Sequence, residues 1–238
     1  VLSENTTKPK DRLWPHTSYG GLISYNDGYI DPLQLQKSLI NALDHLNVDK
    51  ICEKAIKLDR LSSTRSSQWR IHMANNQRLN KKIVVICASL GSEALLKPLG
   101  YNLPIAPVLG QVLSLILKED HKDWSGWPAV LCHEGINMIP YRKNHLLLGA
   151  TLEPGTTAQD EALQQMRTMN GKAPTWLKQA SVDDHWSGLR GRPINRTAPI
   201  LQTLEPGLII ATGHYRNGVL LAPATAEWIL KEILNENH

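Results

Sequence analysis

An apolar run that ends in a glycine-flanked loop constrains this chain more than any other stretch. Leu208-Ile209-Ile210-Ala211 is short and continuously apolar, the pattern of a strand buried on both faces. It leads into Gly213-His214-Tyr215-Arg216-Asn217-Gly218, and Pro223 is then read as the start of an amphipathic helix over roughly 223–236. Gly213 and Gly218 let backbone come close to a ligand. A helix N-terminus presents free N–H groups and a partial positive charge. A strand, glycine loop and helix in this order suit an anion or an electron-rich ring.

The 238 residues are enough for one large domain or two intertwined ones. Net charge is +4, and the cations are scattered, with short groups at Lys8-Pro9-Lys10 and Lys81-Lys82. This reads as solvated surface and gives no nucleic-acid partner. Cys52, Cys87 and Cys132 are an odd number without a CxxC, so neither a disulfide framework nor a zinc site is expected. Cys87 is expected to pack as a small hydrophobe. No signal peptide and no apolar span of about 18 residues is visible, which points to the cytosol and away from a membrane. The polar opening after Val1 does not lead into a first strand, and a missing N-terminal portion is expected.

Along the chain, Gly20 to Tyr25 alternates weakly into an Asn26-Asp27-Gly28 turn signal. Asp31-Pro32 is a helix start, and Leu35, Leu39, Leu43 and Leu46 put an amphipathic helix over roughly 32–46, its stripe facing a core. Residues 60–82 are polar with little period and are read as a hairpin or loop. Ile83 to Ala88 fits a buried parallel strand. Pro104–Leu117 reads as a long strand broken near Gly110, 118–128 as a hairpin tip, and Val130–Tyr141 and Leu146–Thr151 as further strands. A second helix starts near Thr157, and a short one covers 174–180. The class is α/β with α+β character: a parallel-type portion interleaved with an antiparallel one.

Several chemistries drop out. The nine histidines show no HxxxH or HExxH spacing, so no metal is expected. There is no GxSxG elbow. Asp183-Asp184-His185 alternates faces on a strand and reads as a solvated edge. Two arginines stand out, Arg190 at the end of Trp186-Ser187-Gly188-Leu189-Arg190 and Arg216 in the glycine loop. A guanidinium forks onto a carboxylate and stays charged when buried, so the pair would suit a small carboxylic acid.

The stretches Trp186 to Arg190 and Gly213 to Glu227 closely resemble glycine oxidases of the thiamine-biosynthesis type, within the D-amino-acid-oxidase-like family of FAD-dependent oxidoreductases. Gly20 to Pro32, Val84-Val85-Ile86-Cys87-Ala88-Ser89, Pro107-Val108-Leu109-Gly110-Gln111 and Leu146 to Thr151 are similar to further family segments. The resemblance implies a partial FAD-binding Rossmann-like domain interleaved with an antiparallel-sheet substrate domain. Residues 1–32 would end a substrate-domain segment, 33–103 belong to the FAD domain, 104–185 to the substrate domain and 186–238 to the FAD domain again.

It also implies roles. Arg190 would bind the substrate carboxylate, with Arg216 and Asn137 near the substrate. Gly213, His214, Arg216, Asn217, Gly218, Val219 and Leu220 would contact the flavin ring, and Ala88 and Ser89 its ribose or phosphate side. FAD would oxidise glycine or a similar small amino acid with oxygen as acceptor, the flavin doing the chemistry without a certain protein catalyst. The family's GxGxxG unit is absent here, so a separate N-terminal FAD-binding segment is the expected partner, and the family commonly forms homo-oligomers. Asn137 stands where the family has a tyrosine. This keeps sarcosine, a D-amino acid, or a non-catalytic remnant as alternatives.

Overall fold

The structure, a computed structural model, describes residues 24, 28–61, 68–118, 127 and 129–235. The strand and turn expected at 20–28 and most of the hairpin tip at 118–128 lie outside these residues. The described chain groups into two compact units, one from 1–49, 109–153 and 157–188, the other from 50–108, 154–156 and 189–238. The chain thus changes unit at 49/50, 108/109, 153/154, 156/157 and 188/189.

The first helix, α1 (Pro32–His45), starts as its sequence dictates: the Asp31 carboxylate accepts the N–H groups of Leu33 and Gln34 at 2.9 and 3.2 Å, with proline at the first helical position. Its apolar stripe is not in a core. Leu39 and Leu43 are exposed, as is Leu46 just past its end, and no α1 residue is buried. Periodicity specifies which face is apolar, not what covers it, and nothing among the described residues does.

In the second unit, β1 (Ala55–Leu61), β2 (Gln68–Met73) and β3 (Arg78–Lys81) form an antiparallel meander, which resolves the expected hairpin or loop. Beside it in sequence, β4 (Val84–Ile86) is followed by a 3-10 turn at Ser89–Gly91 and the short α2 (Ser92–Leu96). A further antiparallel pair, β11 (Ile200–Glu205) and β12 (Leu208–Thr212), carries β4 parallel to β12. All five residues of β12 are buried, as its unbroken apolar run requires. Leu58, Trp69, Leu96, Ile200 and Ile210 share one core.

The first unit is built on a six-stranded sheet. β5 (Ile105–Ile116), β6 (Leu131–His133), β7 (Ile136–Arg142), β8 (His145–Gly149) and β10 (Ser181–Pro193) lie in the order β10-β5-β8-β7-β6, and β9 (Glu153–Pro154) pairs with β5. β5 and β10 each continue into residues of the second unit. β5 is unbroken, and Gly110 is buried inside it rather than marking a break. One row of paired residues, Leu113, Leu148, Met138 and Leu131, crosses four strands. Cross-strand contact of this kind is what ties a sheet into one face. Over it pack Met166 of α3 (Asp160–Thr168) and Trp176 and Leu177 of α4 (Thr175–Gln179). The Arg167 guanidinium closes the end of α4 by donating to the carbonyls of Leu177 and Ala180, the first of which also accepts the Ala180 N–H.

The last helix, α5 (Gly218–Asn235), begins five residues before the expected Pro223, which lies inside it. Proline there lacks the N–H that would bond the carbonyl of Val219, so the helix runs through it with one backbone bond fewer. β10 is the edge of its sheet, in keeping with the solvated reading of 183–185. Side chains there are nonetheless engaged: the Ser114 hydroxyl donates to the Asp183 Oδ2 at 3.2 Å, and the Nε2 of His185 lies 2.9 Å from the Gln111 Oε1.

Candidate functional site

β4 and β12 are parallel, so their C-terminal ends point the same way. Beyond such ends an open α/β sheet leaves a crevice. Here an open cleft of about 490 Å³ lies within the second unit. One wall is the end of β4, with Cys87 and Ser89; another is β10, with Leu189, Arg190 and Gly191. The loop after β12 supplies Gly213, His214 and Tyr215, and α5 supplies Gly218, Ala222, Thr225, Ala226 and Ile229.

The spacing on α5 explains its face. Gly218, Ala222, Thr225, Ala226 and Ile229 recur at three and four residues, so they line one side of the helix. Three of them are glycine or alanine, and small side chains keep that side open. Gly213 has φ +66°, and a Cβ there would stand 2.9 Å from Pro193. Only glycine meets both demands without strain. Gly191 is similarly constrained, since a Cβ would come within 2.9 Å of the Ser89 hydroxyl.

Charge in the cleft is one-sided. Arg190 lines it, and among the lining residues there is no carboxylate. The Nη1 of Arg190 is buried with no hydrogen-bond partner among the described residues. A buried charged donor without an acceptor is costly. The site is therefore one that an anion would satisfy, and the N-terminus of the 18-residue α5 adds partial positive charge on the same side. His214 is held below its ordinary pKa by burial, so its ring is neutral near pH 7.

Of the residues singled out from sequence, Ser89, Arg190, Gly213, His214 and Gly218 come together in the cleft. Ala88, Arg216, Asn217, Val219 and Leu220 are not among its lining residues, and the last four are exposed. Asn137 lies on β7 in the first unit. Cys87, expected to pack as a small hydrophobe, is instead exposed and lines the cleft, because it follows the last paired residue of β4. Thr225 and the alanines of α5 carried no sequence signal beyond their helical spacing. Among the described residues no group of three His, Cys, Asp or Glu could hold a metal, and no helix is long and apolar enough to cross a membrane.

Comparison with known proteins gives consistent relatives. The chain is 38% identical over 148 residues to a glycine oxidase of Pseudomonas aeruginosa, covering 60% of this chain and 39% of that protein. It is 28% identical over 223 residues to the bifunctional protein ThiO/ThiG of Synechocystis, covering 91% of this chain and 32% of that protein. The solved structure of glycine oxidase from Bacillus cereus superposes with a TM-score of 0.63 at 25% identity, over 77% of this chain and 49% of that one. The chain thus spans less than half the length of each of these relatives. The pattern of the FAD dependent oxidoreductase family, known as DAO, matches residues 3–231, and the chain belongs to that family.

Proposed function

We propose that the cleft of the second unit is the flavin-facing part of an FAD site. The whole protein would oxidise glycine or a similar small amino acid, with oxygen as acceptor, as part of thiamine biosynthesis. The observation that carries this reading is Arg190, whose buried Nη1 lacks a partner in a cleft without carboxylates. Family membership and the names of the relatives support it.

The residues present fit FAD. A backbone loop opened by Gly213, a helix face of small residues and a positive helix N-terminus suit a flat, electron-rich ring that gains negative charge on reduction. When bound, FAD supplies the acceptor for the hydride leaving the amine's α-carbon. Arg190 forks onto the substrate carboxylate and fixes which carbon faces the ring. The neutral His214 adds no charge beside it. Arg216, Asn217, Val219, Leu220, Ala88 and Asn137 are retained as ligand contacts that form once the site is assembled.

A segment carrying the nucleotide-binding glycines is the proposed partner. The chain holds no GxGxxG, and the uncovered apolar stripe of α1 supplies a surface for another segment to cover. The test joins this chain to the remainder of the Pseudomonas aeruginosa relative and follows bleaching of bound FAD by glycine. Arg190→Ala should raise KM for glycine by about 100-fold, the scale for removing one partner of a buried charge pair. An unchanged KM would remove Arg190 from the carboxylate role. Asn137, half-buried on β7, favours a second reading in which sarcosine or a D-amino acid is the better substrate, and a substrate panel on the same chimera separates the two.

A further inference from the structure

The loop between β12 and α5 holds a conformation that its own sequence disfavours. Gly213 and Tyr215 have φ of +66° and +56°, and the left-handed region is unfavourable for a tyrosine. Among the described residues the loop's backbone bonds are short-range: Asn217 N–H donates to the His214 carbonyl at 3.1 Å, and Leu221 N–H to the Asn217 carbonyl at 2.9 Å. Two side chains brace it from outside. The Arg192 guanidinium lies 5.7 Å from the centre of the Tyr215 ring. The His214 Nε2 lies 2.9 Å from the Thr225 hydroxyl.

Thr225 is the one buried residue of α5, and it is polar. A buried hydroxyl needs a partner, and His214 is that partner. Thr225 sits seven residues beyond Gly218, two helical turns on, so both face the cleft. Gly218 and Ala222 on the same face leave room for the loop to lie close. The Cβ position of Gly218 is only 3.8 Å from the Cβ of His214. Burial keeps the imidazole neutral, which leaves it free to pair with a hydroxyl.

We propose that His214, anchored on Thr225, is a positioning residue that holds the Gly213–Asn217 loop against α5 in the form that meets the ligand. FAD as its ligand rests on the function proposed above; the anchoring does not.

The test uses the full chain with Thr225→Val, which keeps the shape and removes the hydroxyl, and Thr225→Ser, which restores it. Backbone amide shifts of Gly213, Tyr215 and Asn217 and the imidazole nitrogen shifts of His214 are recorded, together with Tm and an FAD fluorescence titration. Thr225→Val should move the loop amides and weaken FAD binding about tenfold, the scale of one lost hydrogen bond to a held group. Tm should stay within about 3 °C of the parent, and Thr225→Ser should return amides and affinity to the parent values. Unmoved loop amides and parental affinity in Thr225→Val, or a serine variant no better than valine, would overturn the proposal. If the parent chain alone takes no FAD, the amide shifts alone decide the anchoring, and the flavin reading is decided by the titration with the complementing segment added.

Discussion

Arg60 on β1 grips Glu205 at the end of β11 with two parallel N–H groups, Nε to Oε2 at 2.8 Å and Nη2 to Oε1 at 2.7 Å. The same Nη2 also reaches the Leu99 carbonyl, and the Tyr101 hydroxyl donates to the Glu205 Oε1 at 2.8 Å. The contact joins the meander to the hairpin that leads to the cleft. Its bidentate form is the strongest arrangement of such a pair, but the Arg60 side chain is 48% exposed, so water screens it. Glu205→Gln should therefore cost only about 1 kcal/mol in urea unfolding.

The hydrogen bond from Arg60 holds Glu205 below the usual carboxylate range, against a smaller opposing effect of burial. A lowered folded pKa gives stability that is present above the unfolded value of about 4.3 and is lost as pH falls through the folded value. Acid unfolding below about pH 4 should be shallower in Glu205→Gln than in the parent. Superimposable acid profiles would contradict the assignment.

Glu153 makes a sharper case, because it is 2% exposed. Burial pushes its carboxyl up, and hydrogen bonds from Thr151, Gln111 and the Gln159 N–H outweigh that, leaving it below the usual range. In Glu153→Gln the new amide would point a donor at a donor. A loss of about 2 kcal/mol is expected, read by denaturant unfolding, and a change below about 0.5 kcal/mol would show that the network is not held as described.

Gly207 turns the chain between β11 and β12 at φ +73°, and a Cβ there would fall 2.3 Å from the Lys82 carbonyl oxygen. That carbonyl is backbone and cannot swing aside. Gly207→Ala should lower Tm by more than about 8 °C, combining left-handed strain with the clash. A milder drop would mean that the turn relaxes easily.

How much of this was legible in the sequence depended on whether a pattern specified its own environment. The β12 run Leu208–Thr212 did, because an unbroken apolar strand has to be buried on both faces, and all five of its residues are; the β4 run became a strand, but an edge one with only Ile86 buried. Asp31-Pro32 fixed the start of α1, since capping is local. The stripe of α1 failed as a core assignment because its cover is not local. Pro223 misled because proline is favoured at the first position of a helix but can also be carried inside one at the loss of a backbone hydrogen bond. The cleft itself was half legible. Glycines and Arg190 announced it, while Thr225, whose hydroxyl matters through a residue eleven positions away, looked like any other helical threonine.

The exposed stripe of α1 gives a prediction of its own. Leu39→Lys combined with Leu43→Lys should leave Tm unchanged to within about 1 °C, because neither leucine is buried. The same pair should weaken association with a complementing nucleotide-binding segment, measured by pull-down of the two purified parts. A fall in Tm would place the stripe in the core after all.

The most direct test of the central claim is a fluorescence titration of FAD with the purified chain, alone and with the remainder of the Pseudomonas aeruginosa relative added. The account predicts saturable binding in at least the second case, weakened by Gly213→Ala, which would press a Cβ against Pro193. No binding in either case, or binding indifferent to Gly213→Ala, would contradict the assignment of the cleft as a flavin site.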